Sequence, residues 1–290
     1  MPELPDLEAY VDALAARVGG RVLRRTQLRS PFVLRTVDPP LGALEGLPVQ
    51  SVRRQAKRIV VAFPGSLFLV VHLMIAGRLR WIERGRKLPL RIALATFEFD
   101  DGMLALTEAG TKRRASLHVV RGDDALAALD PGGAEVDDLD AAAFAARMRR
   151  ENHTLKRALT DPRILSGIGN AYSDEILHRA RLSPLALTSR LDDDAMERLY
   201  GATRDVLHEW TQRLRSEARA NFPEKVTAFR PQMAVHGKFR QPCPVCATPV
   251  QRIVYAHNEC NYCPRCQTNG VVLADRALSR LLHKSFPREI

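Results

Sequence analysis

Three features of the sequence predict a multidomain α+β protein. Residues 20–120 carry mostly strand-type patterns, residues beyond about 137 carry helical periodicity, and all five cysteines fall between residues 243 and 266. A cluster rich in proline and glycine at residues 129–134 separates the first two regions. We therefore expect an N-terminal domain at residues 1–130, a helical domain at 137–240, and a cysteine-rich domain with a tail helix at 241–290.

The N-terminal region predicts one helix followed by antiparallel strands. Apolar residues spaced along 5–18 predict an amphipathic helix. The run 59–77 is rich in Val and Ile and is broken by Pro64-Gly65-Ser66, which favours two buried strands joined by a turn over a membrane span. Residues 97–99 and 103–106 alternate around Asp100-Asp101-Gly102, which predicts a hairpin.

The second region predicts several helices with one glycine-rich interruption. The sequence Ser166-Gly167-Ile168-Gly169 separates two helical patterns, and a new helix is expected to begin at Asn170. The segments with helical periodicity are 140–150, 154–159, the residues after 170, 193–220, and a short amphipathic tail at 274–283.

Charge indicates a polyanionic partner. The chain has 44 Lys and Arg against 33 Asp and Glu, a formal net charge of +11. A folded chain this basic is typical of proteins that bind nucleic acid or an anionic membrane surface, although an arginine-rich surface also serves solubility. The acidic start of the chain has no apolar core of a secretory signal, so we predict a cytoplasmic protein with no membrane partner.

The cysteine spacing predicts a zinc site. Cys243 and Cys246 form one C-x2-C pair, and Cys263 and Cys266 form a second. Two such pairs can place four thiolates around one Zn²⁺, which leaves no open coordination position and makes the metal structural. A redox dithiol pair is the alternative. Cys260 is expected to be a packed residue, and residues 250–255 are expected to form a strand between the pairs.

Two further motifs suggest chemistry without fixing it. Removal of Met1 would expose the secondary amine of Pro2, which can attack a carbon that carries a leaving group, with Glu3 beside it as a general acid or base. The alternative is an ordinary chain start. The turn before Asn170 suits close approach of an anion, with Asn170 as helix cap and phosphate ligand, but also suits a simple connection between helices.

Five stretches in order resemble the bacterial formamidopyrimidine-DNA glycosylase and endonuclease VIII family. The matching stretches are Met1-Pro2-Glu3-Leu4-Pro5, Ala56-Lys57-Arg58, His72 to Gly77 (a core strand in the family), Leu155-Lys156 with Gly167 to Tyr172, and the cysteine pairs ending in Cys266-Gln267. The resemblance runs from Pro2 to Cys266. It implies an N-terminal antiparallel β-sandwich with flanking helices, a helical domain with a helix–two-turn–helix element, and a C-terminal zinc-finger β-hairpin.

The resemblance also implies a bifunctional DNA glycosylase and abasic-site lyase of base-excision repair. Pro2 would attack C1′ of a damaged, oxidised nucleotide flipped out of double-stranded DNA, Glu3 would protonate the sugar, and β-elimination, then δ-elimination, would break the strand. Lys57 would bind the phosphate next to the lesion. Without the resemblance, we would interpret Lys57 as an ordinary surface charge at the edge of a strand. We expect one structural Zn²⁺ and a monomer. The predicted DNA contacts are Lys57, Ile75, Arg113, Arg114, Lys156, Gly169, Asn170 and Asn258, and the wider phosphate surface includes Arg53, Arg54, Arg58 and Lys112.

Three positions depart from the family pattern. Ile75 stands where many members carry the Met that fills the gap left by the flipped base, and Met74 is shifted by one residue. Arg113 and Arg114 lack the Phe that usually follows. Asn258 replaces an Arg of the zinc finger. An alternative function follows from these changes, which is a relative that binds damaged DNA with little or no excision.

Overall fold

The computed structural model describes residues 1–86, 90–109, 112–224, 226–255 and 258–273. The chain divides into two compact units. The first contains Met1–Pro131 and Trp210–Thr227, and the second contains Gly132–Glu209 and the described residues from Ala228 onward. Among the described residues, no helix has the length and apolar character needed to span a bilayer.

The first unit is built on two antiparallel four-stranded sheets. One sheet has the strand order β1-β6-β7-β5 and the other has the order β2-β3-β4-β8. The strands are β1 (Arg25–Leu28), β2 (Ser51–Gln55), β3 (Arg58–Phe63), β4 (Leu67–His72), β5 (Gly77–Glu83), β6 (Ala93–Phe99), β7 (Gly102–Glu108) and β8 (Ser116–Arg121).

Alternation along the strands places the core between the sheets. Ile59, Val61, Leu69 and Val71 share one buried cluster with Leu104 and other residues of the opposite sheet. Helix α1 (Leu4–Val18) adds its apolar side to the same cluster through Leu7, Tyr10 and Leu14. The predicted β-sandwich with a flanking helix is confirmed.

The outer face of the β2-β3-β4-β8 sheet has a smaller apolar cluster of its own. Val60, Val70 and Val120 pack there against Leu126, which lies on the short helix α2 (Asp123–Ala127). Burial of this second face explains why β3 and β4 read as nearly continuous apolar runs in the sequence.

Both strand connections predicted in this unit are present, and one predicted strand is wrong. The hairpin around Asp100 is confirmed by the pairing of Phe99 with Gly102. The stretch from His72 to Gly77, expected to be strand, contains a turn instead, because β4 ends at His72 and β5 begins at Gly77. Met74 adopts the left-handed conformation with φ +52°, which ends the extended backbone. A side chain at Gly77 would clash with the Leu73 carbonyl oxygen.

The second unit is mostly helical. Its elements are α3 (Ala141–Arg149), α4 (Leu155–Thr160), α5 (Asn170–Ala180), the part of α6 (Asp193–Ala220) up to Glu209, β9 (Gln251–Tyr255), β10 (Asn258–Tyr262) and α7 (Pro264–Thr268). Asp140 and Thr154 cap α3 and α4 by accepting backbone N–H bonds from Ala143 and Arg157. The predicted helices and the zinc-finger hairpin are confirmed, and the predicted tail helix at 274–283 lies outside the described residues.

The last part of α6 packs within the first unit. Arg215 forms ion pairs with Glu8 and Asp12 of α1, at 3.0 and 2.8 Å. Just beyond the helix, the Phe222 ring lies 5.9 Å from the ring of Tyr10. These contacts hold the start of α1, and with it the amino terminus, against a second helix.

Candidate active site and nucleic-acid interface

The amino terminus is held in a buried setting by the first turn of α1. Glu3 is the residue before the helix, and its backbone N–H donates to Oδ2 of Asp6 at 3.0 Å. Pro5 in the first turn costs the helix no hydrogen bond, because N–H groups there have no partner within the helix. Pro2 is buried, and Glu3 is only 3% exposed. The local sequence therefore fixes the position of Pro2 and Glu3 relative to the sandwich.

Charged groups from three elements surround this terminus. Burial lowers the pKa of the Met1 amino group below its ordinary value, Glu3 opposes this, and Arg78 and Lys57 add to it. Burial likewise lowers the pKa of Lys57, with Glu3 acting in the opposite direction. An amine with a lowered pKa has a larger neutral fraction near pH 7, and the neutral amine is the nucleophilic form. The structure thus brings the predicted Pro2, Glu3 and Lys57 together in one unit.

The turn that carries Lys57 is fixed by a buried ion pair. Arg54 Nε lies 2.7 Å from Oε1 of Glu8, and its Nη1 donates to the Ala56 carbonyl at 3.0 Å. Ala56 itself has φ +50°. Arg54 was predicted as a phosphate contact, but its guanidinium is 9% exposed and connects α1 to this turn. Its role in the structure is to position Lys57.

The turn after β4 presents Ile75 to solvent. Ile75 is 60% exposed, whereas Leu73 on the same turn is buried. Arg78 of β5 donates to the carbonyl oxygens of Ile75 and Gly77 at 3.0 and 2.7 Å, which connects the turn to β5. The same arginine acts electrostatically on the amino terminus. The structure therefore places Ile75, rather than the less exposed Met74, at the tip of this turn.

A buried carboxylate shapes the segment with Arg113 and Arg114. Glu108, 2% exposed, accepts backbone N–H bonds from Arg114 and Ala115 at 2.9 and 3.0 Å. Arg113 donates to the Arg91 carbonyl, and Arg114 is exposed. Glu108 was not predicted to have a role, although an acidic residue that ends an apolar strand is a recognisable signal for such a loop anchor.

The helix–two-turn–helix element differs from expectation at Asn170. Gly169, not Asn170, is the N-cap of α5, and the Asn170 side chain instead donates to the Glu259 carbonyl on β10 at 2.8 Å. The expected cap is therefore wrong, because the amide of Asn170 is engaged by the neighbouring strand. Asn170 and Gly169 do lie at the N-terminus of α5, where backbone N–H groups favour an anion.

Lys156 is engaged inside the second unit. Its Nζ donates to the Asn170 carbonyl at 2.7 Å, to Ser173 Oγ at 2.8 Å and to Asp174 Oδ1 at 2.5 Å, and its side chain is 13% exposed. An ammonium group has three N–H donors, so these bonds use all of them. Lys156, which the resemblance predicts as a DNA contact, therefore anchors the start of α5 in this structure.

Two consecutive carboxylates of α5 organise the rest of this region. Asp174 Oδ2 lies 2.7 Å from Nδ1 of His236 and accepts the Asn261 backbone N–H at 3.1 Å. Glu175 accepts the N–H groups of residues 234, 235 and 236 at 2.7 to 2.9 Å. Both are buried, and neither was predicted. Their signal in the sequence is an acidic pair inside an otherwise buried helix, between Tyr172 and Ile176.

The four predicted cysteines converge. The Sγ atoms of Cys243, Cys246, Cys263 and Cys266 all lie within 4.8 Å of one another, with separate distances of 3.4, 3.5 and 3.9 Å. Four thiolates 2.3 Å from a tetrahedral Zn²⁺ would be about 3.8 Å apart, so the donor set fits this metal. Cys260 lies apart, buried with Ile253 and Tyr262, as predicted. The backbone of Asn258 begins β10, and its side chain lies outside the described residues.

Comparisons with known proteins agree with this architecture. Residues 1–115 match the formamidopyrimidine-DNA glycosylase N-terminal domain, and residues 128–219 match the formamidopyrimidine-DNA glycosylase H2TH domain. The formamidopyrimidine-DNA glycosylase of Solibacter usitatus is 31% identical over 286 residues, which cover 92% of this chain and 99% of that protein. The protein of that name from Thermus thermophilus is 32% identical, with 93% and 100% coverage.

Solved structures show the same fold. A complex between the Lactococcus lactis Fpg and DNA with an abasic site superimposes with a TM-score of 0.81 at 21% identity, covering 92% of this chain and 99% of that chain. A structure of MutM with DNA that contains carbocyclic 8-oxo-G gives 0.80 at 22% identity, with 92% and 100% coverage. On sequence and domain content together, this chain belongs to the formamidopyrimidine-DNA glycosylase family.

Proposed function

We propose that this protein is a DNA glycosylase and abasic-site lyase that removes oxidised bases from double-stranded DNA in base-excision repair. The observation that carries the proposal is the burial of Pro2 and Glu3, with Lys57 and Arg78 close enough to act on the charge of the amino terminus. The names of the relatives, and the lesion-containing DNA in the solved complexes, support the substrate class. The protein acts as a cytoplasmic monomer.

The reaction begins at the amine that removal of Met1 leaves on Pro2. The neutral amine attacks C1′ of the flipped nucleotide, and the base leaves with the electron pair of the N-glycosidic bond and takes up a proton. Glu3 protonates O4′ as the sugar ring opens, which gives an iminium between Pro2 and C1′. Burial, with the positive charges of Arg78 and Lys57, lowers the pKa of the Met1 amino group, and we expect the same surroundings to favour the neutral Pro2 amine once Met1 is removed.

The iminium then serves as the electron sink for strand cleavage. Loss of a C2′ proton places its electron pair between C2′ and C1′, and β-elimination expels the 3′ phosphate. A second, δ-elimination expels the 5′ phosphate. Lys57 binds the phosphate beside the lesion as a point charge and neutralises it as it leaves. The second unit supplies the backbone N–H groups at the start of α5 for another phosphate.

The zinc hairpin is a structural part of the DNA-binding surface. Cys243, Cys246, Cys263 and Cys266 would hold one Zn²⁺, and four thiolate ligands would leave no position for a substrate atom. The bonds from Asn170 to the Glu259 carbonyl and from Asn261 to Asp174 connect β10 to α5. We infer that the metal fixes the hairpin, and that the hairpin in turn supports the phosphate site at α5.

Borohydride trapping on duplex DNA with one abasic site tests the proposal. Mass spectrometry first establishes that Met1 has been removed. We expect a covalent protein–DNA band from the native protein, and no band from Pro2→Gly or from a protein that keeps an extra residue before Pro2. Ala16→Ser, a change at an exposed position of α1 away from the terminus, serves as the folding control.

A lesion panel in the same assay then identifies the base. If zinc-loaded native protein binds the duplex but forms no band, the lyase assignment is wrong. That result would favour the alternative of a damage-binding relative, for which Ile75 and Asn258, where the family carries Met and Arg, are the supporting observations.

A further inference from the structure

Helix α5 faces the zinc hairpin with one stripe of polar side chains. Asn170, Asp174 and His178 are spaced at i, i+4 and i+8, which places them on the same side of the helix. The side chains of Asn170 and Asp174 bond to backbone groups of β10 at 2.8 and 3.1 Å. His178 contacts a predicted metal ligand instead, because its Nε2 lies 3.3 Å from Sγ of Cys243. Helix α5 is therefore connected to the predicted zinc site itself as well as to the hairpin backbone.

The contact between His178 and Cys243 is buried on both sides. His178 is 7% exposed and Cys243 is 2% exposed. Cys243 packs in an apolar cluster with Val235 and Val250. A charged sulfur in such surroundings is costly unless a hydrogen bond satisfies it. His178 supplies that partner from a position 65 residues away in the sequence.

The chemistry of a zinc ligand decides which of these two atoms donates. Cysteine binds Zn²⁺ as the thiolate, which has no hydrogen and can only accept a hydrogen bond. The Nε2 atom of His178 must then carry the hydrogen, because an imidazole nitrogen without one is itself an acceptor. The arrangement therefore fits an N–H···S hydrogen bond from His178 to the thiolate of Cys243.

Two other cysteines of the cluster have hydrogen-bond donors close to them in the sequence. The Cys266 backbone N–H donates to Sγ of Cys263 at 3.5 Å, and the backbone and hydroxyl of Thr248 donate to Cys246. Four thiolates with one Zn²⁺ carry a net negative charge, which such donors disperse. The donor to Cys243 differs from these because it lies on α5, outside the hairpin.

We propose that His178 is a positioning residue of the zinc site, whose Nε2–H holds the Cys243 thiolate and couples metal binding to the position of α5. Hydrogen-bond partners of metal ligands change metal affinity by about ten- to a hundredfold. Such coupling is reciprocal, so bound zinc also stabilises the last turn of α5. The N-terminus of the same helix lies about 12 Å away, eight residues along. The inference concerns the zinc site and does not depend on the proposed reaction.

A pair of substitutions isolates this hydrogen bond. His178→Gln keeps an N–H donor near the place of Nε2, whereas His178→Met has a similar length and no donor. The first measurement is the thiolate-to-metal charge-transfer band of the full chain loaded with Co²⁺. Loss of a hydrogen bond raises the energy of the sulfur lone pairs, so His178→Met should move the band to longer wavelength, and His178→Gln should leave it near the native position. The zinc Kd, from competition with a chromogenic chelator, should rise about tenfold in His178→Met alone.

Leu177→Met is the matched control. Leu177 is buried beside His178 on α5 but projects about 100° further around the helix. The substitution introduces the same side chain into the same buried turn, and it should leave the band and the zinc Kd at their native values. A second measurement needs no substitution: the ¹⁵N shifts of the His178 ring in the native, zinc-loaded protein should place the hydrogen on Nε2.

Three results would overturn the inference. One is a His178→Met band at the native wavelength, even with a lower Tm, because a role in packing alone leaves the thiolate unchanged. Another is an equal shift in both His178 variants, which would show that the donor is immaterial. The third is a hydrogen on Nδ1 alone in the native protein, which decides the question even if His178→Met does not fold. None of these measurements uses DNA, so borohydride trapping reports separately on the proposed function.

Discussion

Lys156→Met should destabilise the second unit rather than remove a phosphate contact. The ammonium of Lys156 donates to the Asn170 carbonyl, Ser173 Oγ and Asp174 Oδ1, and its side chain is 13% exposed. Methionine matches the length and apolar stem of lysine, so the substitution removes the charge and the three donors with little change in packing.

The loss in unfolding free energy depends on which hydrogen bonds the partners of Lys156 retain in the variant. Breaking a buried ion pair by removing one member costs about 3–5 kcal/mol. Asp174 retains His236 Nδ1 and the Asn261 N–H, and Ser173 Oγ retains the Gly169 carbonyl. These remaining bonds place the loss at the lower end, about 3 kcal/mol. For a protein of this size such a loss lowers Tm by roughly 6–12 °C.

Two measurements separate an internal anchor from a DNA contact. Urea unfolding gives the free energy of unfolding. A plot of log Kd against log salt concentration gives the number of phosphates neutralised, because each phosphate contact contributes about 0.9 to its slope. We expect Lys156→Met to lose about 3 kcal/mol with an unchanged slope. Arg157→Gln, an exposed neighbour on α4 that keeps its backbone bonds, should be within about 0.5 kcal/mol of the native protein. Native stability with a slope reduced by about 0.9 would refute the anchor.

Three further changes have defined outcomes. Cys246→Ser should abolish zinc binding, measured by elemental analysis, and should also remove the hydrogen-exchange protection of β9 and β10. Cys260→Ser should keep both the zinc and the protection. Zinc retained by Cys246→Ser would contradict the four-thiolate site. Ile75→Ala should slow excision from duplex DNA at least tenfold but leave trapping on single-stranded abasic DNA unchanged, because only a duplex has a base stack in which the flipped base leaves a gap. Equal losses on both substrates would exclude Ile75 as the residue that fills this gap. Arg163→Gln should lower Tm at pH 7 because hydrogen bonds from Arg163 hold the pKa of Asp161 at about 2; since a depressed carboxyl pKa stabilises above the unfolded value, the difference should vanish as pH falls from about 4 to about 2, and a pH-independent difference would refute the linkage.

Periodic elements and the metal site were predictable because each depends on local pattern. Helix α6 was predicted at 193–220 and spans Asp193–Ala220, since its apolar side repeats at the helical period over many turns. The convergence of the four cysteines follows from their spacing alone. The turn after β4 was not predictable, because Leu73, Met74 and Ile75 are all apolar and the left-handed backbone of Met74 has no residue signature.

The carboxylates of α5 were missed for a different physical reason. Asp and Glu on a helix are usually solvated, so the apolar neighbours Tyr172 and Ile176 are only a weak signal that Asp174 and Glu175 are buried. Their burial depends on partners distant in the chain: Lys156, His236 and the backbone of residues 234–236 and 261. The same region engages the side chains of Lys156 and Asn170, two positions that the resemblance predicts as DNA contacts.

The basic residues of this chain therefore differ in whether a carboxylate of the protein already binds them. Arg54 is bound by Glu8 and Lys156 by Asp174, so neither has a full set of donors for a phosphate. Lys57 has Glu3 as an electrostatic neighbour. A net charge of +11 indicates a polyanion but cannot rank these side chains. Because a phosphate must compete with any carboxylate already in place, we expect substitution of Arg54 or Lys156 to change the salt dependence of DNA binding less than substitution of Lys57, a difference that a simple count of charges does not predict.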